Sequence, residues 1–260
     1  MSASAEQMMT VAASRRLPDR AVCFVGIGLP SVAANLARLT HAPEAVLIYE
    51  AGPIGAKPSV LPLSIGDGEL AQTADTVVST PEIFRYWLQG GRVDVGFLGA
   101  AQLDRYANLN TTVIGPYSEP TVRLPGAGGA PEIAACAKQV LVIMKHARRA
   151  MVAKLDFITS VGHGTDGRAR QHQGLPGRGP TAVITDLCVM EPDPSTRELS
   201  VVSLHPGVTR AQVESATGWP IRFAPEVGVT AAPSTLELQA LDALLARTAQ
   251  AHGTASAGGA

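Results

Sequence analysis

Short apolar runs separated by polar, glycine-rich or proline-rich breaks set the rhythm of this chain and predict its elements. Residues 22–27 (VCFVGI), 45–49 (AVLIY), 93–98 (VDVGFL), 139–144 (QVLVIM), 182–185 and 200–204 read as strands, most of them buried on both faces. A shorter strand is expected at 157–159, and the turn-rich stretch 191–196 predicts a hairpin connection. Between the strands lie helix signals. Ser31 is placed to cap a helix over 32–39. Ser79-Thr80-Pro81-Glu82 combines a hydroxyl cap, an early proline and a first-turn acid, predicting a helix that runs to Leu88 and stops at Gly90-Gly91. Val208-Thr209 opens a helix closed by Gly218. Ser234 and Glu237 form a capping box for a last helix ending near Ala251. Strands alternating with short helices predict an α/β fold, an open, mainly parallel sheet with helices on both faces. Residues 1–20 read as an N-terminal extension with a first helix, 21–251 as a single domain, and 252–260 as a disordered tail.

Two stretches, 52–67 and 106–132, show neither period. Long segments of this kind inside a compact domain are often functional. A third, 162–180, is polar and glycine-rich and reads as a surface excursion. There is no internal repeat.

Composition narrows the function classes. At 46% hydrophobic and 17% charged the chain is globular rather than disordered. A net charge of −1 lacks the basic excess of a nucleic-acid binder, so no nucleic-acid partner is expected. The densest basic cluster, Lys145, His146, Arg148, Arg149 and Lys154, has two readings, a solvated helix face or a contact for the phosphates of a nucleotide-bearing cofactor. No run approaches the ~18 apolar residues of a membrane span, and residues 1–20 hold no continuous apolar core like that of a signal peptide. A soluble, cytoplasmic protein with no membrane partner is expected. Cys23, Cys136 and Cys188 are widely spaced; Cys23 and Cys188 sit in apolar runs as small hydrophobes of a reducing compartment.

Glu50 is the most informative polar residue. It follows four apolar residues and precedes Ala51-Gly52-Pro53, at the carboxyl end of a buried strand, where parallel sheets place their ligand crevices. By position alone a structural carboxylate is as good a reading. Gly126-Ala127-Gly128-Gly129-Ala130 lets the backbone approach a ligand and turn N–H groups toward an anion, or is simply a flexible turn. It lacks the Lys-Ser/Thr pair of a phosphate loop. The six histidines show no i, i+4 pair and no ligand-spaced cysteine, so no metal is expected. No GxSxG elbow is present, and His205-Pro206-Gly207 reads as a turn.

Five segments in order, GIGLPSVAANLARLTHAPEAVLIYEAG (26–52), LGAAQLDRYANLNTTVIG (98–115), RLPGAGGAPEIAA (123–135), KLDFITSVGHG (154–164) and SLHPGVTRAQVESATGW (203–219), resemble the β subunit of class I CoA-transferases, the glutaconate CoA-transferase type in particular. The resemblance implies the open α/β fold of these subunits and an α-subunit partner, in a heterodimer or higher heterooligomer with the active site at the junction. It makes Glu50 the catalytic glutamate, in a motif of Glu, a small polar residue and Gly; Ala51 departs from the usual Ser or Asn. It makes Gly128 and Gly129 the oxyanion donors and puts Gly52, Gly126, Ala130 and Arg123 in the vicinity of substrate or CoA. Tyr117 and Arg123 are candidate contacts for the acid, a dicarboxylic or 3-oxo acid.

The implied chemistry moves CoA between an acyl-CoA and a free acid through a glutamyl-CoA thioester, with coenzyme A as substrate and no permanently bound cofactor. Relatives on the same fold hydrolyse or decarboxylate CoA esters, and the resemblance implies that they lack the glutamate at the Glu50 position. A non-catalytic ligand sensor is the alternative from another class; no stretch before Ala21 is long enough for a DNA-binding helix-turn-helix. A structural subunit whose chemistry comes wholly from its partner is a third.

Overall fold

The computed structural model describes residues 3–255. In chain order the helices are α1 (Ala5–Ser14), α2 (Leu29–Leu39), α3 (Gly68–Gln72), α4 (Thr80–Glu82), α5 (Ala130–Cys136), α6 (Ala169–His172), α7 (Arg210–Ala216) and α8 (Thr235–Ala255); α4 runs directly into a π-helix, Ile83–Leu88. The strands are β1 (Val22–Val25), β2 (Val46–Ile48), β3 (Pro53–Ile54), β4 (Thr76–Val77), β5 (Val95–Leu98), β6 (Gln102–Leu103), β7 (Leu109–Asn110), β8 (Val113–Ile114), β9 (Val122–Arg123), β10 (Gln139–Ile143), β11 (Pro180–Ile184), β12 (Cys188–Pro192), β13 (Leu199–Leu204) and β14 (Arg222–Val229).

Ten strands form one sheet in the order β14-β13-β12-β11-β10-β5-β1-β2-β3-β4. The middle of the sheet, β11-β10-β5-β1-β2, is parallel throughout. Antiparallel strands β3 and β4 extend one side, and the β12–β13 hairpin extends the other. The chain moves from β1 outward to β2, then returns to lay β5 on the other side of β1, so the strand order reverses at β1. Such a reversal opens a crevice at the carboxyl ends of parallel strands.

The apolar runs of the central strands are continuous because both faces are covered. Phe24, Ile48, Leu98, Val140 and Val142 pack on one face with Ile83, Leu88, Ile133 and Val213. Cys23, Val25, Leu47, Tyr49, Phe97 and Leu141 alternate onto the other, against Met8, Met9, Ala33 and Ala37. Helix α1 is thus part of the core: Ser4 and Gln7 form a capping box, and Met9, Val11 and Ala13 are fully buried.

Several elements differ from expectation. Helix α2 begins at Leu29, capped at Gly28 rather than at Ser31, because Pro30 fits the first helical turn. Ser31 is instead buried, 3.4 Å from the Tyr49 hydroxyl. Residues 157–159 form no strand; Thr159 and Ser160 donate to the Leu109 carbonyl, and the Phe157 ring stacks on Tyr117 at 5.5 Å. The long stretches are only partly irregular, since they contain β3, the strand β7 that pairs with β6, and the hairpin β8–β9. Helix α8 continues to Ala255, so 252–255, expected as part of a disordered tail, are helical; the rest of that expectation, 256–260, lies outside the described residues.

Candidate active site

Glu50 stands at the carboxyl end of β2. The Gly52 N–H donates to the Tyr49 carbonyl at 3.0 Å, and the Tyr49 N–H donates to the Pro53 carbonyl at 3.1 Å. The chain therefore reverses tightly, with Glu50 and Ala51 at the tip, and returns antiparallel as β3. Gly52 is required there. Its φ is +119°, and a Cβ would stand 1.9 Å from the Val78 carbonyl oxygen, whose own residue donates its N–H to the Gly52 carbonyl at 3.1 Å.

Strand alternation aims the carboxylate. Ile48 points to the face bearing α5 and the π-helix, Tyr49 to the opposite face, and Glu50 again to the first. Tyr49 is fully buried, its hydroxyl accepts from Asn35 Nδ2 at 3.3 Å, and burial raises its pKa. That anchor fixes the strand end from which Glu50 projects.

The glycine loop meets Glu50 from across the fold. The Gly129 N–H donates to Glu50 Oε2 at 3.4 Å, and a Cβ on Gly128 would lie 3.7 Å from the same oxygen. Thr111 ties the base of the loop twice: its carbonyl accepts from the Gly126 N–H at 2.8 Å, and its hydroxyl donates to the Gly126 carbonyl at 2.8 Å. Phe84, carried by the π-helix, lies beneath Gly129 and packs its ring at 5.7 Å from that of Phe24. Gln89, just beyond the π-helix, hydrogen-bonds Glu132 of α5 and ties the two elements together.

Of the residues expected at the site, Glu50, Gly52, Gly128 and Gly129 come together. Gly126 is the tether to Thr111. Ala130 opens α5 and packs on the core. Arg123 is exposed on β9; its guanidinium donates to the Tyr117 carbonyl at 3.0 Å and lies 4.8 Å over the Tyr117 ring. Phe84 and Thr111 do not stand out in the sequence. Phe84 sits in an ordinary apolar run, and Thr111 carries no signal beyond its place in a long irregular stretch.

The basic cluster is not one patch. Lys145 pairs with Glu6 at 2.9 Å, and Arg148 reaches the carbonyls of Ser215 and Thr217. His146 is buried between the hydroxyls of Thr185 and Thr217, and desolvation pushes its pKa down to about 4. Burial raises all three thiols, Cys188 to about 12, against any thiolate role. Among the described residues, no group of three or more His, Cys, Asp or Glu converges as a metal site would, and no helix is long and apolar enough to cross a membrane.

The coenzyme A transferase family profile matches residues 6–216, four-fifths of the chain and all of the site just described. This chain belongs to the coenzyme A transferase family. The B-type subunit of 3-oxoadipate CoA-transferase from Pseudomonas knackmussii is 71% identical over 250 residues, 96% of each chain. The B-type subunit of glutaconate CoA-transferase from Acidaminococcus fermentans is 30% identical over 240 residues, 90% of each. The crystal structure of glutaconate CoA-transferase from that bacterium superimposes with a TM-score of 0.84 at 28% identity, covering 91% of this chain and 92% of that one. The α/β fold is that of the transferase subunits, and the chain is a β-type CoA-transferase subunit whose family uses coenzyme A as substrate.

Proposed function

We propose that this chain, assembled with an α subunit, moves coenzyme A between an acyl-CoA and a 3-oxo dicarboxylic acid, with Glu50 as the covalent nucleophile. The observation that carries the reading is the hydrogen bond from the Gly129 N–H to Glu50 Oε2. It puts a fixed backbone donor on the carboxyl group that must pass through tetrahedral intermediates. The 71% identical relative named for 3-oxoadipate supports the acid class.

The steps balance without an added cofactor. A Glu50 oxygen attacks the thioester carbonyl of the acyl-CoA, and CoA leaves as the thiolate, giving a mixed anhydride. The thiolate then attacks the glutamyl carbonyl, releasing the first acid as carboxylate and leaving a Glu50–CoA thioester. The second acid attacks that thioester, and the reversed sequence returns Glu50 and yields the new acyl-CoA. Two additions are to the glutamyl carbonyl itself, where negative charge develops on an oxygen in the place of Oε2. A backbone donor preorganised at that oxygen is worth roughly 3–4 kcal/mol of barrier. Ala51, at the turn tip, offers no side-chain donor and leaves that role to backbone N–H groups.

Trapping tests the reading. The assembled enzyme is incubated with acyl-CoA and reduced with borohydride, and the β chain is mapped by mass spectrometry. A reduced thioester at Glu50, absent from Glu50→Gln, is expected. CoA transfer at wild-type rate by Glu50→Gln, or CoA label on the α chain alone, would overturn it.

A further inference from the structure

A second cleft, of about 380 Å³, opens at the amino end of β11, the opposite end of the parallel strands from Glu50. Arg170, Arg178, Arg197 and His163 line it, with Glu191 among its walls. Its charge is not balanced from within. Arg170 is 8% exposed and spends its guanidinium on the carbonyls of Gly177, Gly162 and Ala135, at 2.8, 3.3 and 2.9 Å. Arg178 bonds the Lys138 carbonyl and Gln139 Oε1. Among the described residues, neither they nor Arg197 forms an ion pair, and Glu191 is held by Arg16 at 2.7 Å. Arg170 is buried without a counter-ion among the described residues, Arg178 and Arg197 are exposed around the same cavity, and a guanidinium cluster of this kind attracts an anion.

The backbone presents Arg197 in a costly conformation. Its φ is +62°, a left-handed geometry that a non-glycine residue retains only where the surroundings enforce it. Here Asp193 enforces it. One carboxylate oxygen accepts from the N–H groups of Ser195 and Thr196 and from both their hydroxyls, and those bonds hold its pKa far below the usual carboxylate range. The Arg197 N–H closes the turn onto the Asp193 carbonyl at 2.9 Å. Glycine would sit in this turn without strain; arginine instead carries a charge to the cleft. Burial, with Arg170 and Arg197 nearby, lowers the pKa of His163, whose Nε2–H donates to the Pro180 carbonyl at 2.9 Å.

We propose that this cleft binds a small multivalent oxyanion, a dicarboxylate or a phosphate, gripped by Arg178 and Arg197 over the fixed charge of Arg170. The guanidinium fork matches both groups. The site is separate from the Glu50 centre and does not depend on the reaction assigned to it.

The test is calorimetric titration of the assembled α–β enzyme with succinate and, separately, with inorganic phosphate at low ionic strength. Saturable binding of one or both is expected, with the responding anion identifying the ligand. The decisive variant is Arg197→Gly, which relieves the left-handed strain and so folds at least as well as wild type. It is expected to keep its thermal midpoint and CoA-transfer rate while binding the anion at least tenfold more weakly, and Arg178→Gln/Arg197→Gly more weakly still. No saturable binding of either anion, or binding of wild-type strength in the double variant, would overturn the proposal.

Discussion

The ring of Phe84 occupies the space that a side chain on Gly129 would need: a Cβ there would stand 2.5 Å from Phe84 Cζ and 3.3 Å from Glu50 Cδ. Glycine at 129 is therefore set by what lies on both sides of it, an aromatic floor and the proposed nucleophile. Gly129→Ala must displace the ring, the loop or the carboxylate. Loss of one aligned oxyanion donor lowers turnover by roughly 100-fold or more. The expected outcome is a fall in kcat of that size with KM changed much less. Phe84→Leu removes the atoms in the way, so Gly129→Ala/Phe84→Leu should recover about tenfold over Gly129→Ala. Wild-type kcat in Gly129→Ala would show that the loop needs no glycine at this position to keep its N–H aligned on Glu50.

The turn behind Glu50 tolerates substitution even less. At Gly52 the obstacle is backbone: a Cβ would meet the Val78 carbonyl oxygen at 1.9 Å, and φ is +119°. Neither can be relieved by turning a side chain. Gly52→Ala should destabilise the chain by about 2–3 kcal/mol and misplace Glu50. Thermal scans of the assembled enzyme should show a lowered midpoint, and transferase assays a lowered kcat. An unchanged midpoint with full activity would mean that the turn does not need glycine.

How far the sequence reveals this arrangement depends on where its constraints lie. The runs at 22–27, 45–49, 93–98 and 139–144 are legible as strands because central parallel strands are buried on both faces. β14 leaves no such signal: it carries Pro225, Glu226 and Gly228, is largely exposed, and lies at the sheet edge, where proline is tolerated and no apolar run is needed. Glu50 and the glycine loop each stand out locally. Their meeting is a contact between residues 79 positions apart, created by β2 and α5 sharing one face of the sheet, and periodicity carries no trace of it. Arg123, close to the loop in sequence, is expected near substrate; that its guanidinium lies over Tyr117 follows from the β8–β9 hairpin, which places the two side by side. Phe84 is hidden for a different reason. The π-helix that orients it looks, in sequence, like the continuation of an ordinary helix from Ser79.

Thr111 acts on the site through Gly126 and touches no reacting group, so it is a positioning residue. Removing its hydroxyl with Thr111→Val deletes one bond to the loop and leaves the Gly126 carbonyl one donor short, a loss of about 1 kcal/mol. A looser loop should lower kcat several-fold and leave KM close to wild type, with Thr111→Ser restoring the rate. Full turnover in Thr111→Val, or failure of Thr111→Ser to restore it, would show that the tether does not position the loop.

The buried His146 makes stability depend on pH in a direction that can be worked out. Thr185 Oγ1 accepts from the N–H groups of Leu187 and Cys188 and shares its one proton between the Cys188 carbonyl and His146 Nδ1, each at 3.1 Å. Thr217 donates to the Val213 carbonyl and so can accept from Nε2–H. The network thus satisfies a neutral imidazole. Desolvation lowers the folded-state pKa to about 4, against about 6.5 when unfolded, and the Asp186 carboxylate offsets this only in part. Between those values the unfolded chain binds the extra proton, so stability is fully present above about pH 6.5 and is lost as pH falls toward about 4. The full loss is on the order of 3 kcal/mol. Burial shifts His163 and His205 in the same direction, adding to the slope. Thermal midpoints of the assembled enzyme should fall between about pH 7.5 and about pH 5, and fall distinctly less in His146→Gln, which keeps a polar side chain but has nothing to titrate. Equal falls in the two proteins would mean that His146 does not contribute to acid sensitivity.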